Sequence, residues 1–222
     1  TIIDGSIEEL FTMELSKPLY MVIDIMWDFY KEKLGLNKSS YYFNGGLILY
    51  NLDVWRKENC AERYLDYLQH CNKQYVLGDQ DITNVLFNEQ IGVLDLKYNY
   101  YSNYYLINPK YMKSAVGVDE SNYYSGEEME EAKKSVAIYH CAKYNGERVW
   151  DKENNHPFSE IYKRYKSISY WKNEEGWTSN KSKAIKIQLL LQRWLPHRVY
   201  IIFLRRAQKQ YFKKNEILLN QN

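Results

Sequence analysis

Residues 41–56 read YYFNGGLILYNLDVWR, and this stretch decides how the rest of the chain is interpreted. Within it, residues 43–46 (Phe-Asn-Gly-Gly) place an amide side chain beside two glycines, which allow another group to approach the backbone closely. Residues 47–50 form an uncharged apolar run that predicts a short strand, and Asp53 is the predicted N-cap of a helix that begins near Val54. An Asn at the rim of a strand is typical of a ligand site, whereas composition alone favours a tight turn here.

The stretch resembles the pattern Tyr-Phe-Asn-(Ala/Ser)-Gly-(Val/Leu)-Leu-Leu-Ile-Asn-Leu-x-x-Trp-Arg of the family 8 glycosyltransferases, which include bacterial lipopolysaccharide galactosyl- and glucosyltransferases. In this chain the pattern stands as residues 42–52, followed by Trp55 and Arg56. The resemblance implies an α/β fold, a GT-A-type domain of the nucleotide-diphospho-sugar transferases. It also implies an enzyme that moves a hexose from a UDP-sugar to a saccharide acceptor, such as lipopolysaccharide or another surface glycan, with retention of the anomeric configuration.

Asp24 and Asn44 are candidate ligands of the donor sugar. Asp24 follows residues 19–23, an apolar run that predicts a strand, and most Asp residues at such a position only cap the strand end. The resemblance implies instead that Asp24 hydrogen-bonds the donor sugar together with the Asn44 side chain.

Residues 77–87 read LGDQDITNVLF, which is similar to the family's Asp-Gln-Asp-x-x-Asn motif. Asp79 is also a predicted N-cap, and Asp79 with Asp81 has the spacing of a carboxylate pair that chelates a cation. The resemblance implies otherwise. Asp79 and Gln80 would be the catalytic pair, with Asp79 on the sugar hydroxyls and Gln80 facing the anomeric carbon from the side opposite the diphosphate, while Asp81 and Asn84 are structural.

Residues 136–140 form a predicted buried strand that ends in His140, and a lone His in this position is more often a core residue than a ligand. The segment is similar to the family's His-(Tyr/Phe)-x-Gly-x-x-Lys-Pro-Trp motif, which implies that His140 ligates a divalent cation, Mn²⁺ or Mg²⁺. Gly146 and Arg148 are then the diphosphate-binding residues. The match departs from the family in its longer spacing, in Arg148 for Lys and in Val149 for Pro. Arg keeps the charge and adds bidentate phosphate contacts.

The first residues also fit the family pattern. Residues 1–11, TIIDGSIEELF, resemble the segment that directly follows the metal-binding Asp-x-Asp motif and its strand. The resemblance therefore implies an N-terminally truncated domain, in which residues 1–175 are the C-terminal two-thirds of a catalytic domain with an incomplete metal site. The chain alone is then expected to be inactive as a hexosyltransferase.

The remaining residues, 176–222, form a predicted basic C-terminal helical tail. Residues 161–222 carry 14 Lys and Arg against three Glu, whereas the whole chain of 222 residues has a net charge of only +2. Residues 183–195 and 197–214 predict two helices, divided by Pro196. Such helices suit the surface of an anionic bilayer, and a basic hairpin packed on the body is the equally weighted alternative.

The other segments are predicted from their periodicity and composition. Residues 54–74 show the apolar spacing of one amphipathic helix, and residues 91–96 are a predicted strand. Residues 100–126 lack a clear period, which predicts a long loop. Residues 127–134 and 157–171 are predicted helices.

Three cysteines without Cys-x-x-Cys spacing suit a reducing compartment, and no apolar run approaches the roughly 20 residues of a membrane span. We therefore expect a cytoplasmic protein, peripheral on the inner face of the membrane if its tail docks there. Its expected partners are a UDP-sugar and a saccharide or lipid-linked acceptor, with no nucleic acid. Two alternatives stay open, a non-catalytic glycan- or membrane-binding module and a protein-directed, glycogenin-like sugar transferase. An Asp-x-Asp motif upstream of Thr1 would favour the enzyme over the module.

Overall fold

The computed structural model describes residues 1–73, 75–105, 111–118, 120–178 and 181–216. This part of the chain has the mixed α/β architecture predicted from the sequence, with two three-stranded sheets surrounded by helices. The strands are β1 (Ile2–Ile3), β2 (Leu19–Ile23), β3 (Phe43–Tyr50), β4 (Ile91–Val93), β5 (Tyr100–Tyr101) and β6 (Ile138–His140). The helices are α1 (Glu9–Thr12), α2 (Asp28–Leu34), α3 (Leu52–Lys57), α4 (Cys60–His70), α5 (Asp79–Phe87), α6 (Met112–Val116), α7 (Gly126–Lys134), α8 (Ser159–Ser167), α9 (Lys183–Trp194) and α10 (His197–Glu216).

The first sheet has the order β3–β2–β4 and positions Asp24. β2 lies between antiparallel β3 and parallel β4, and all five of its residues are buried, which explains its continuous apolar sequence. The register shifts between Met21 and Ile23, so that Ile23 pairs with Phe43. The Asp24 N–H then donates to the Tyr42 carbonyl at 2.7 Å, which holds Asp24 beside the start of β3.

The second sheet has the order β1–β6–β5 and positions His140. Antiparallel β1 pairs with β6 so that Ile2 lies opposite Tyr139, and parallel β5 places Tyr101 opposite His140. Continued by one residue, the β1 register puts Thr1 beside His140. The strand predicted over residues 136–140 is confirmed, although it begins only at Ile138.

The Asn-Gly-Gly stretch lies within a strand and not before it. Because β3 begins at Phe43, the predicted rim position of Asn44 is wrong, and Asn44 is the second residue of the strand. The predicted helix cap is wrong as well. Asn51 is the N-cap of α3, and its side-chain oxygen accepts hydrogen bonds from the N–H groups of Asp53 and Val54, both at 3.2 Å.

The single helix predicted for residues 54–74 is two helices in the structure. α3 ends at Lys57 and α4 begins at Cys60, because Asn59 between them has left-handed backbone with φ of 50° and interrupts the helical hydrogen bonds. The N-cap predicted for the next helix is also wrong, since Gly78 occupies that position and Asp79 is the first residue of α5.

The region from residue 91 to residue 134 contains more regular structure than the sequence predicts. β4 ends at Val93, and a 3₁₀ turn at Leu96–Asn99 follows. The long loop predicted for residues 100–126 is wrong in its described part, which holds β5, a 3₁₀ turn at Ser102–Tyr105 and α6. Helix α7 is confirmed, and Ser125 with Glu128 forms its capping box.

The two helices of the tail are confirmed as α9 and α10, and α10 packs on the body of the molecule. Tyr200, Ile201 and Leu204 are 2%, 4% and 8% exposed, and the ring of Phe212 lies 4.6 Å from that of Tyr30. The packed-hairpin alternative therefore describes α10, while the domain boundary at residue 176 stays a prediction. No helix among the described residues is long and apolar enough to cross a membrane.

Candidate active site

One cavity of about 280 Å³ brings together four of the predicted site residues. Asp24 follows β2, Asn44 lies in β3, Gln80 is in the first turn of α5 and His140 ends β6, and all four side chains line the cavity. Part of its wall comes from α10. The apolar lining includes Trp27, Leu77, Tyr101, Leu204 and Phe212.

The Asn44 amide is buried and fixed in orientation. Its Nδ2 donates to Asp24 Oδ2 at 2.8 Å, and its Oδ1 accepts from the Gly46 N–H and from Asn99 Nδ2, both at 2.8 Å. The side chain therefore presents a preorganised amide to the cavity and holds the Asp24 carboxylate in place.

The Gln80 amide is held by the same network. Its Oε1 accepts from the Gly45 N–H at 2.8 Å, and its Nε2 donates to Asp24 Oδ2 at 3.2 Å and to the Tyr42 hydroxyl at 3.3 Å. Because an amide oxygen has two lone pairs, Oε1 retains one acceptor position for a ligand.

The Asp24 carboxylate is the centre of this network. In addition to the two amides on Oδ2, its Oδ1 accepts from the Ile25 N–H at 2.8 Å. Burial raises the pKa of Asp24 above its ordinary value, and the hydrogen bonds from Asn44, Ile25 and Gln80 oppose that rise. A carboxylate with spare lone pairs, fixed by three donors, is suited to accept hydrogen bonds from sugar hydroxyls.

The His140 ring lies against Gly46, and this contact explains one position of the sequence pattern. A Cβ at Gly46 would be 2.2 Å from His140 Cε1 and 2.3 Å from its Nδ1, so no larger residue fits there without moving the ring. A Cβ at Gly45 would lie 3.3 Å from Gln80 Cβ, a much milder contact. The family pattern accordingly has Ala or Ser at the first of the two positions and Gly at the second.

His140 has the protonation state that a metal ligand needs. Burial lowers its pKa below the ordinary value of an imidazole. The ring is therefore neutral at pH 7, and its Nδ1 is buried without a hydrogen-bond partner among the described residues. Within the described ranges, however, no three His, Cys, Asp or Glu side chains lie close enough together to hold a metal ion. His140 could therefore supply one ligand of a metal site, and the described side chains do not supply a complete set of ligands.

Three other predicted site residues lie outside this cavity. Asp79 is exposed at the start of α5. Gly146 has φ of 78° in a turn beneath α9, where a Cβ would lie 2.5 Å from Ile185 Cδ1. Arg148 is exposed, and its guanidinium lies 5.1 Å from the centre of the Trp150 ring. Their predicted contacts with sugar and diphosphate stay predictions.

Asp81 and Asn84 fix α5 against β3. Asp81 is fully buried and accepts hydrogen bonds from the hydroxyls of Tyr30 and Tyr42, both at 2.5 Å. Asn84 pairs with the backbone of Phe43, with its Oδ1 accepting at 2.7 Å and its Nδ2 donating at 2.8 Å. The structural role predicted for both residues is confirmed, and it is this pairing that brings Gln80 to Gly45.

The sequence did not identify Asn99 and Gln208 as site residues. Asn99 holds the Asn44 amide from the last residue of the 3₁₀ turn at Leu96–Asn99. Gln208 lines the cavity from α10, and nothing in the sequence distinguishes it from the other polar residues of the tail.

The two sheets and a cavity lined by fixed carboxylate, amide and imidazole groups define an α/β protein with a site suited to a polyhydroxylated ligand. A family model described as glycosyl transferase family 8 matches residues 1–154, which is more than half of the chain. The chain therefore belongs to glycosyl transferase family 8.

Several curated proteins are similar to this chain. General stress protein A of Bacillus subtilis is 25% identical over 142 residues, which cover 63% of this chain and 46% of that protein. Glycosyltransferase GlyB of Streptococcus pneumoniae is 26% identical over 175 residues, 76% of this chain and 37% of that protein. Lipopolysaccharide 1,2-glucosyltransferase of Escherichia coli is 32% identical over 101 residues, 43% of this chain and 30% of that protein. The matched part of the chain thus spans less than half the length of each of these relatives.

Two solved structures share the fold. The bifunctional glycosyltransferase WbbM superposes with a TM-score of 0.59 at 21% identity, covering 78% of this chain and 32% of that chain. An active-site mutant of LgtC superposes with a TM-score of 0.54 at 22% identity, covering 73% of this chain and 56% of that chain. These likenesses confirm the predicted GT-A-type fold.

Proposed function

We propose that the whole protein transfers a hexose from a UDP-sugar to a saccharide acceptor, such as lipopolysaccharide or another surface glycan, with retention of the anomeric configuration. The observation that carries the proposal is the single hydrogen-bonded network of Asp24, Asn44 and Gln80 in one cavity beside His140. Carboxylate and amide groups match sugar hydroxyls, which both donate and accept hydrogen bonds. Membership of family 8 supports glycosyl transfer as the reaction.

The reaction breaks the bond from the sugar C1 to the diphosphate and forms a bond from C1 to the acceptor oxygen on the same face. The acceptor proton leaves with the diphosphate. Asp24 and Asn44 hold sugar hydroxyls, and Asp79 is the third proposed contact. The neutral Gln80 amide is a poor nucleophile, so its role is to stabilise the positive charge that develops at C1 through the carbonyl oxygen.

Arg148 and the backbone of Gly146 are the proposed partners of the diphosphate. The Arg148 guanidinium is exposed and has no ion pair within the described ranges, so its charge is available to a phosphate. A guanidinium bound to the departing diphosphate would offset the negative charge that grows there.

A divalent cation, Mn²⁺ or Mg²⁺, is part of the proposal, with His140 as one of its ligands. When bound, such a cation supplies charge neutralisation at the diphosphate. Its other ligands would come from the diphosphate and from outside the described side chains.

The metal proposal gives a first prediction for the chain of 222 residues. We expect no tight Mn²⁺ binding in isothermal titration and no hydrolysis of UDP-glucose or UDP-galactose, because a single imidazole leaves the cation short of ligands. Metal-dependent hydrolysis by this chain, or Mn²⁺ affinity that His140→Ala abolishes, would contradict the incomplete site.

The proposed function is tested on the full-length protein with a panel of UDP-hexoses and Mn²⁺. UDP release and the anomeric configuration of the product, determined by NMR, are the measurements. Asp24→Asn should remove turnover, whereas the matched change Asp53→Asn at an exposed position should keep it. An inverted product, or no turnover with any UDP-hexose, would refute the proposal.

The acceptor is proposed from the relatives, one of which carries the name of a lipopolysaccharide glucosyltransferase. A glycogenin-like transferase would instead label a protein, which mass spectrometry of the acceptor distinguishes. A non-catalytic glycan- or membrane-binding module would bind ligand without releasing UDP. A cytoplasmic location at the inner face of the membrane is part of the proposal and is tested by fractionation of cells.

A further inference from the structure

Helix α10 contributes to the wall of the candidate sugar cavity, although it lies outside the residues that match the family model. Leu204, Gln208 and Phe212 are spaced four residues apart, which places them on one helix face, and all three line the cavity. Leu204 is buried, and Phe212 packs on the ring of Tyr30. The helix is therefore anchored to the body on both sides of Gln208.

Gln208 carries a polar atom that lacks a partner. Its Oε1 is buried and accepts no hydrogen bond from any described residue. The same is true of His140 Nδ1, which lines the same cavity. Buried polar atoms in native proteins are normally hydrogen-bonded, so the unpaired Gln208 Oε1 indicates a polar ligand that supplies the missing bond, whereas the unpaired His140 Nδ1 suits the proposed cation.

We propose that Gln208 positions the donor hexose. Its side-chain Oε1 accepts a hydrogen bond from one sugar hydroxyl. An amide oxygen requires a donor, and the hydroxyls of a hexose are donors in a cavity whose size is at the lower end for small-molecule sites. This inference rests on the proposed function and deepens it. Asp24 and Asn44 belong to the part of the chain that matches the family, whereas Gln208 selects among hexoses from a helix outside it.

The test compares Gln208→Leu with Gln210→Leu in the full-length enzyme. Both changes replace Gln by Leu on α10, but Gln210 is exposed and does not line the cavity. We expect Gln208→Leu to lower kcat/KM for the natural UDP-hexose about three- to tenfold, the effect of one hydrogen bond. Gln210→Leu should leave it unchanged.

A panel of UDP-hexoses that each lack one hydroxyl separates positioning from a structural role. The wild-type enzyme should lose activity with each deoxy donor. With one of these donors, the kcat/KM values of Gln208→Leu and the wild type should be equal, because the hydroxyl that Gln208 binds is already absent. Gln208→Glu keeps an acceptor and should restore the discrimination at that hydroxyl.

The melting temperature of Gln208→Leu should equal or exceed that of the wild type, because Leu removes a buried unpaired oxygen. If this variant does not fold, Gln208→Met carries the test, since Met keeps the length of the side chain without its acceptor. Equal kcat/KM and equal losses across the deoxy panel in wild type and variant would overturn the role of Gln208 and leave the proposed function standing. If the wild-type enzyme uses no UDP-hexose, both the proposed function and the role of Gln208 are refuted.

Discussion

Asp24 combines burial with three hydrogen bonds, so its ionisation links the stability of the fold to the function of the site. The folded protein must keep a carboxylate in a half-buried position, and the raised pKa records the cost of doing so. The contribution of Asp24 to the stability of the fold is fully present below the ordinary carboxyl pKa of about 4. It is lost as the pH rises through the raised pKa that Asp24 has in the folded protein.

We predict that the stability of Asp24→Asn relative to the wild type is greater at pH 7 than at pH 4, because Asn never ionises, whereas its amide group costs one acceptor of the Asp24 network at both pH values. The melting temperature of the variant minus that of the wild type, measured by circular dichroism at both pH values, should therefore increase with pH. Asp53→Asn, at an exposed position, serves as the control and should show no such trend. A difference that stays constant or shrinks toward pH 7 would contradict the raised pKa.

Gln80 gives the second prediction at this scale. Gln80→Ala in the full-length enzyme should lower kcat much more than it weakens binding of the UDP-sugar, because the amide acts on charge that develops at C1. The variant also leaves the Gly45 N–H without its acceptor, which should cost about 1–3 kcal/mol of stability. Steady-state kinetics and donor titration measure the two effects. Weakened donor binding with kcat retained would assign Gln80 to ground-state binding instead.

Strand β3 holds the site together at the scale of elements. Its second to fourth residues contact three separate elements, since Asn44 binds Asp24 after β2, Gly45 binds Gln80 of α5, and Gly46 lies against His140 of β6. Gly45 faces the Gln80 side chain and Gly46 faces the His140 ring, so Ala substitutions at the two positions can be compared as a matched pair.

We predict that Gly46→Ala and Gly45→Ala have unequal effects. The methyl group at residue 46 would overlap the His140 ring and should cost about 1–3 kcal/mol of unfolding free energy together with most of the activity. The methyl group at residue 45 meets Gln80 at 3.3 Å and should be tolerated. Denaturant unfolding measures the first quantity, and the NMR shifts of His140 report the position of its ring. Equal losses in both variants would show that the ring does not require the space above Gly46.

At the scale of the whole molecule, the basic tail has two faces. Tyr200, Ile201 and Leu204 are buried against the body, whereas Ile202 and Phe203 between them remain exposed. Removing the tail would therefore open the cavity wall and would also remove any contact with a membrane. A test of membrane docking must leave α10 in place and change only its exposed charges.

We predict that the double change Arg206→Gln and Lys213→Gln weakens binding to anionic vesicles by more than tenfold, since each basic residue contributes about 1 kcal/mol at an anionic surface. The control pair Lys57→Gln and Lys73→Gln removes the same charge from exposed positions outside the basic segment 161–222 and should bind like the wild type. Co-sedimentation of the full-length protein at low and high salt is the measurement. Equal binding to neutral and anionic vesicles would leave the tail with a structural role alone.

The sequence by itself determined the parts of the protein that depend on neighbouring residues. The apolar run of β2, the composition of residues 127–134 and the Pro between α9 and α10 identified their elements, because these signals depend on neighbouring residues. The order of residues 42–52 indicated the family, which the match over residues 1–154 confirmed. The caps at Asn51 and Gly78 and the break at Asn59 were missed, because several polar residues compete for each of those positions.

Only the tertiary structure decided which side chains share the cavity. Asp24, Asn44, Gln80 and His140 come together because β2 and β3 pair with a bulge, Asn84 fixes α5 on β3, and β6 approaches Gly46. It also placed Asp79 and Arg148 on the surface and brought Gln208 of the tail into the cavity wall. These outcomes depend on packing between elements that are distant in the chain, and packing is set by the shape and volume of whole surfaces, which no local pattern of residues encodes.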